Sequence, residues 1–435
     1  MSLRSSTTFG RRCDGGRRLL PVSGMTTPAF LRLYICFAAG YLLSYVFRNA
    51  NAVISPELTG ALGITSSSLG LLTGAYFVAF ASMQIPAGML LDRYGPRRVE
   101  PALLTIAGFG ALAFAASDGI AGLTLARALI GAGVSVCLMA PLKAIATWYS
   151  RERHASLAGW MMVAGGCGAL LSTEPLAAAL SFMSWRSIFL GLGVATFAAA
   201  AAIFFMVPDT PRSAHAPGWE GQWRGVRNVF RSPRFWWVSP LAAVAMGSFM
   251  AIQGLWSVPW LMEVNGYSRE IAARHLLVMG VAILSGYLLI GVFSTALARR
   301  GIVPRHLFAA GFFLHTLMLA LIVSRVPSVT YALWALYGLG SSVNILGYTV
   351  VTEGFATELA GRVNTALNLI MFVASFIAQW GIGIVVDLVR RAMATDIANA
   401  LPYAFALVLA ADVLACGWFA FGWRRHRAVA HPALA

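Results

Sequence analysis

The 435-residue chain is 59% apolar and only 11% charged, an inversion of the balance that keeps a soluble domain dispersed. Its net charge of +16 raises the question of a nucleic-acid partner, and its five cysteines show no paired spacing, so neither a disulfide framework nor a zinc site is implied. The apolar residues come in blocks of roughly 20, long enough to cross a hydrocarbon layer about 30 Å thick, and a soluble core has no need of such blocks.

In chain order, residues 1–28 are polar and rich in Arg, Ser and Thr, with no apolar stretch of signal-peptide length. They read as a disordered cytoplasmic tail, or in part as an upstream extension if Met25 is the true start. Apolar blocks then predict spans at 29–52, 66–91, 100–117, 120–148, 155–182 and 187–207. A second series follows at 236–262, 272–297, 304–324, 328–352, 363–387 and 401–423. The one long hydrophilic stretch inside the chain, 208–235, is Pro- and Arg-rich and reads as a cytoplasmic linker. It separates two bundles, 29–207 and 236–423, and a basic tail, 424–435, ends the chain. The expected fold class is an all-α membrane protein of twelve transmembrane helices in two six-helix repeats.

Position decides what the positive charge means. Of the 32 basic residues, counting those within three residues of a span end with the side they adjoin, 23 fall on the N-terminal side of these spans, 6 on the other side and 3 inside them. This is the positive-inside pattern, which places both termini of a multi-pass inner-membrane protein in the cytoplasm. It accounts for the basicity through the bilayer and leaves no reason to invoke nucleic acid. Internal repetition agrees with the division into halves. Leu90-Leu91-Asp92-Arg93-Tyr94-Gly95, after span 2, has an echo in Ala298-Arg299-Arg300-Gly301 after span 8, and the two glycines lie 206 positions apart. Arg153-His154-Ala155-Ser156-Leu157 matches Arg362-Val363-Asn364-Thr365-Ala366 at an offset of 209.

Gly88-Met89-Leu90-Leu91-Asp92-Arg93-Tyr94-Gly95-Pro96-Arg97-Arg98 resembles the signature loop of the major facilitator superfamily, G-x-x-x-D-[RK]-x-G-[RK]-[RK]. Pro96, inserted before the arginine pair, is the departure. Arg127-Ala128-Leu129-Ile130-Gly131, Trp185-Arg186-Ser187-Ile188-Phe189 and Arg231-Ser232-Pro233-Arg234-Phe235-Trp236 extend the resemblance over residues 29–423. It implies a monomeric secondary transporter for a small molecule, with no cofactor, no metal and no enzymatic activity, whose site lies between the halves near the midplane. Neither HExxH nor GxSxG appears in the sequence. For Gly88, Asp92, Arg93, Gly95 and Arg98 the resemblance implies gating, with Asp92 held against the N-terminal end of span 11 and Arg362, where a helix dipole favours an anion. A loop that merely caps the helix explains the arginines but not Asp92. Gly88 and the Gly70-x-x-x-Gly74 pair would let helices approach closely.

Ionisable groups inside spans are costly and therefore candidate functional residues. Tyr41, Tyr45 and Arg48 fall on one face of span 1. With Pro56 eight residues on, Tyr45-Val46-Phe47-Arg48 resembles the organic-anion branch of the superfamily, where Y-x-D-R precedes the proline and the arginine holds a substrate carboxylate. Alternatively, Arg48 snorkels to the interface. The branch's proton-carrying Asp is replaced by Phe47, so a coupling proton needs another carrier. Glu174 and Asp412 are the candidate carriers, and the resemblance makes Arg127 a further coupling candidate; helix packing competes with that role at Glu174 and a structural role competes at Asp412. Lys143 in span 4 can bind substrate or titrate, but 16 residues separate it from Arg127, so an unbent helix would not aim both at one cavity. In the second half, Gln253, Trp256 and Trp260 share a face of span 7, and Tyr337, Ser341, Asn344 and Tyr348 share one of span 10. Both stripes read as site lining, whereas Asn364, Asn368, Ser375 and Gln379 on span 11 read as helix–helix glue. The substrate so implied is an organic anion. Two other readings remain: a drug or siderophore exporter, whose span-5 signature this chain does not match, and a non-transporting sensor or assembly subunit.

Overall fold

In a bilayer core every backbone polar group must be satisfied within its own segment, so apolar blocks of this length fold as helices. The computed structural model describes residues 27–148, 151–208, 219–326, 330–353, 355 and 359–430. Most of the expected N-terminal tail, residues 209–218 of the linker and the last five residues lie outside these. The first half comprises span 1 (Thr27–Leu62), span 2 (Ser66–Ser82 and Gln84–Tyr94), span 3 (Pro96–Ala116), span 4 (Ile120–Gly133 and Met139–Trp148), span 5 (Arg151–Leu171 and Glu174–Ala179) and span 6 (Trp185–Met206). The second comprises span 7 (Pro233–Val264), span 8 (Arg269–Arg299), span 9 (Pro304–Val323), span 10 (Thr330–Ser341 and Asn344–Thr352), span 11 (Ala360–Met393) and span 12 (Ile397–Ala430). Seven of these helices are each long and apolar enough to cross a membrane, and an eighth counts when the two parts of span 2, bent by 45°, are taken together.

Apolar side chains also clothe the outside. Phe182, Phe205 and Leu414 are 75%, 77% and 73% exposed, which suits lipid and not water. Between spans 6 and 7 the linker contains a helix, Trp219–Phe230, which buries Val226 and Val229. The stretch is therefore not irregular throughout, because its apolar residues recur at helical spacing among the arginines.

The breaks carry the functional geometry. Gly131 and Gly133 precede the interruption of span 4, and Gly338 and Gly340 precede that of span 10, each pair 207 positions from its counterpart. All four glycines sit where backbones touch. A Cβ on Gly131 would lie 2.2 Å from the Tyr76 carbonyl oxygen, and one on Gly340 would lie 2.7 Å from the His315 nitrogen. Gly95 and Gly301, the landmarks read from sequence, both take positive φ, 79° and 80°, and end their helices in a conformation that other residues adopt at a cost. Span 7 instead widens into π-helical turns at Ile252–Trp256 and Trp260–Val264.

The halves meet most closely along spans 2 and 11. Added Cβ atoms on Gly70 and Gly383 would stand 2.6 Å from the Gln379 oxygen and 2.3 Å from the Ser66 oxygen. At that end, away from the chain termini, Asp387 of span 11 accepts from the Ser66 and Ser67 amides at 3.1 and 2.7 Å. Arg269 of span 8 pairs with Glu57 of span 1, and Arg274 of span 8 with Glu174 of span 5 at 3.0 Å. Towards the other end the contact opens: a Cβ on Gly88 would meet nothing within 4 Å, so this glycine does not provide the close approach expected of it.

Candidate functional site: a cavity between the halves

A cavity of about 480 Å³ lies between the two bundles, with walls from spans 1, 2, 4, 5, 7, 8, 10 and 11. Its lining reaches Leu142 on span 4 and Gly361 at the start of span 11, on the side where the termini lie. Span 1 contributes Tyr41, Tyr45 and Arg48 together, as their shared helical face requires. The tyrosine rings meet edge to face at 5.1 Å, and span 5 makes room for them at Gly165, where a Cβ would lie 2.5 Å from the Tyr41 ring.

Arg48 is 5% exposed. Its guanidinium carbon stands 4.6 Å from the ring centre of Tyr45, 5.4 Å from that of Phe80 and 5.5 Å from that of Phe372. These faces attract a cation, but among the described residues no carboxylate pairs with it, and its Nε has no hydrogen-bond partner. Span 4 braces this segment from behind. Arg127, fully buried over the Tyr76 ring, donates from Nη1 to the carbonyl of Phe47 at 2.7 Å, fixing the backbone just before Arg48.

The second half lines the cavity with neutral polar groups: Gln253, Asn344, Tyr348 and, unforeseen in the sequence, Tyr287 of span 8. Tyr348 donates to Asn368 Oδ1 at 2.6 Å, and Asn368 donates to Gln84 Oε1 of span 2 at 2.9 Å, a chain that crosses between the halves. Span 11 is thus divided in role. Asn364 and Asn368 line the cavity, whereas Ser375 and Gln379 are buried in helix contacts.

Several expected positions lie elsewhere. Trp256 is wholly buried and donates to the Gln379 carbonyl at 3.0 Å, so it is packing and not lining. Neither Lys143 nor Arg127 reaches the cavity. Lys143 instead holds the signature loop, donating to Asp92 at 2.5 Å and to the Leu91 carbonyl at 2.8 Å. Asp92 therefore pairs within its own half rather than with Arg362, whose side chain lies against Gly225 of the linker helix. Arg93 is exposed beside Tyr94, with 5.3 Å from guanidinium to ring, and Arg98 is exposed on the first turn of span 3. Glu174 is not buried: its side chain is 38% exposed in the pair with Arg274. Asp412, 1% exposed, faces His315 at 3.2 Å. His315 also meets Ser341 at 2.8 Å and Ser248 at 3.2 Å. Ser341 and Ser248 in turn donate to the Tyr337 and Ala245 carbonyls. This cluster ties spans 7, 9, 10 and 12 behind the cavity wall.

Two bundles of membrane helices around a shared cavity, clad in apolar side chains, define an integral membrane protein of carrier architecture. A sequence profile described as Major Facilitator Superfamily matches residues 37–379, and the chain belongs to that superfamily. It is 30% identical over 275 residues to the hexuronate transporter of Escherichia coli (strain K12), a match covering 57% of this chain and 62% of that protein, so somewhat under two thirds of that relative is spanned. A chloramphenicol resistance protein of Pseudomonas aeruginosa is 26% identical over 329 residues, covering 72% of this chain and 71% of that one. In fold, the chain matches the crystal structure of a bacterial homolog of the human lysosomal transporter Spinster, inward-facing and unoccupied, with a TM-score of 0.72 at 18% identity over 91% of this chain and 97% of that one.

Proposed function

We propose that this protein is a secondary active transporter that carries a small organic anion of the sugar-acid class across the inner membrane by alternating access, with protons as the coupling ion. Arg48 is the observation that carries the reading. A permanent cation in the wall of a membrane cavity, with no carboxylate paired to it, is costly unless a ligand completes the charge. A substrate carboxylate does so, and the guanidinium fork fits it bidentately. The amide and phenol groups of Gln253, Asn344 and Tyr348 opposite suit the hydroxyls of a sugar acid. Similarity to a hexuronate transporter supports the same class. With the contacts between halves gathered at the end away from the termini, and the termini cytoplasmic by the positive-inside pattern, the arrangement reads as inward-open.

One feature favours a second reading, an exporter of an organic anion with a large apolar part. Met139, Met162, Met246, Met250 and Met371 all line the cavity, and methionine walls adapt to varied apolar shapes. Binding of glucuronate and galacturonate to purified protein, set against a panel of aromatic acids, separates the two. A charge-assisted hydrogen bond contributes about 1.5–3 kcal/mol, so Arg48→Ala should weaken binding about tenfold or more. Arg48→Lys should recover only part of that, since an ammonium lacks the fork. Equal affinity of wild type and Arg48→Ala would sink the anion-anchor reading.

A further inference from the structure

We propose that Glu100 is the proton-carrying group of the transport cycle, a carboxyl loaded with its proton in the arrangement seen here and able to exchange it when span 4 moves. This rests on the proton-coupled reading above and names the group that would perform it.

Five other acids of the spans are answered by a partner. Glu57 pairs with Arg269, Asp92 with Lys143, Glu174 with Arg274, and Asp412 with His315. Asp387 accepts from two backbone amides. Glu100 differs: it is fully buried near the start of span 3, and neither carboxyl oxygen has a hydrogen-bond partner. A bare carboxylate there would be an unsolvated charge in apolar surroundings, so the group holds its proton.

The surroundings are shaped for this carboxyl. A Cβ on Gly40 of span 1 would stand 2.9 Å from Glu100 Oε1, so glycine leaves the room that the carboxyl occupies, with Leu104 and Ile203 flanking. On span 4 the group beside it is the Cys137 thiol, inside the interruption between Gly133 and Met139. Val134, Ser135 and Leu138 of the same interruption line the cavity. Arg48 of span 1 lines the same cavity. On span 3 itself, Arg97 is turned away to the Phe204 carbonyl at 2.9 Å, and Arg98 is exposed. One non-helical segment thus separates a protonated acid from the cavity's uncompensated cation.

The charges then balance as follows. With the substrate carboxylate on Arg48 and the proton on Glu100, these two side chains and the bound anion together carry no net charge. When the anion departs to the cytoplasmic side, Arg48 loses its counter-charge. Movement of the span 4 segment lets the Glu100 O–H bond break, the proton passes to cytoplasmic water, and the remaining carboxylate balances the guanidinium. Reprotonation from the other side frees Arg48 for the next anion. Proton and anion thereby favour each other's binding, and linkage makes that preference mutual.

Glu100→Gln keeps the shape and the neutral form but has no proton to release. Two measurements test it. In infrared spectra at neutral pH, the wild type should show a protonated carboxylic acid stretch that Glu100→Gln lacks. In proteoliposomes, the ratio of galacturonate accumulation under an imposed proton gradient to galacturonate counterflow should fall about tenfold or more. No such band in the wild type, the same band in the variant, or an unchanged ratio overturns the proposal. If Glu100→Gln fails to insert, Glu100→Asp keeps an acid one methylene shorter and should move the pH of half-maximal accumulation; an unmoved profile overturns it. A wild type that carries no hexuronate removes the substrate reading above, and the infrared comparison then decides this one alone.

Discussion

At the residue scale, the side chain that answers Asp92 sets what the signature loop can do. Lys143 joins the inner ends of spans 2 and 4, and both groups are partly exposed, 28% and 37%. An ion pair so open to water contributes about 0.2–1 kcal/mol to folding. Asp92→Asn should therefore leave expression and monodispersity near wild type while slowing uptake several-fold, because it shifts the balance between end-states of the cycle. Uptake at matched expression checks this, and normal kinetics would reduce Asp92 to a solvated loop residue. The span 1 cavity lining is legible in the sequence because a regular helix puts positions 41, 45 and 48 on one face. Trp256 departs from its expected place for the converse reason. The stripe through Gln253, Trp256 and Trp260 assumes 100° per residue, and the π turn at Ile252–Trp256 breaks that register. Glu100 escaped notice because it follows the loop arginines, where an acid reads as an interfacial charge; only the packing of spans 1, 3 and 4 around it shows otherwise.

At the element scale, spans 2 and 11 act as a pair hinged by what each presents at its end. Asp387 receives the first amides of span 2, an anion at a helix N-terminus, and such contacts are worth about 0.3–2 kcal/mol. It sits where the two halves touch, so it stabilises closure of that end and not the fold of either bundle. Asp387→Ala should shift the resting population toward the opposite opening by up to about tenfold. Crosslinking or spin-label distances between spans 2 and 11 at that end would report it, and an unchanged distance distribution would count against the latch. The glycines of this contact were half visible in sequence. Gly70-x-x-x-Gly74 carries its own spacing signal, but Gly383 and Asp387 have no local mark and matter only through a partner more than 300 positions away. Long-range pairings of that kind leave no trace in periodicity.

At the scale of the whole molecule, hydropathy alone gives most of the architecture, because a bilayer admits few solutions for an apolar chain. The internal repeat was visible at two loops, yet its clearest instance, the glycine pairs of spans 4 and 10, lies in the spans themselves. There the flanking residues differ between the halves, one with a cationic wall and the other with neutral amides and phenols. The charge asymmetry predicts cytoplasmic termini and a cytoplasmic linker helix. A cysteine at the exposed Asn228, in a variant without native cysteines, should resist a membrane-impermeant maleimide in intact cells and react in inverted vesicles. Ready labelling of intact cells would reverse the topology.

The near-absence of lysine gives the molecule an unusual chemical simplicity. Every basic side chain but Lys143 is an arginine, and acylating reagents that attack amines spare guanidinium groups. The chain therefore offers such a reagent a single side-chain amine, and that amine is held against Asp92 of the signature loop. The wild-type sequence already carries, with no label engineered into it, a one-site chemical handle on its signature loop.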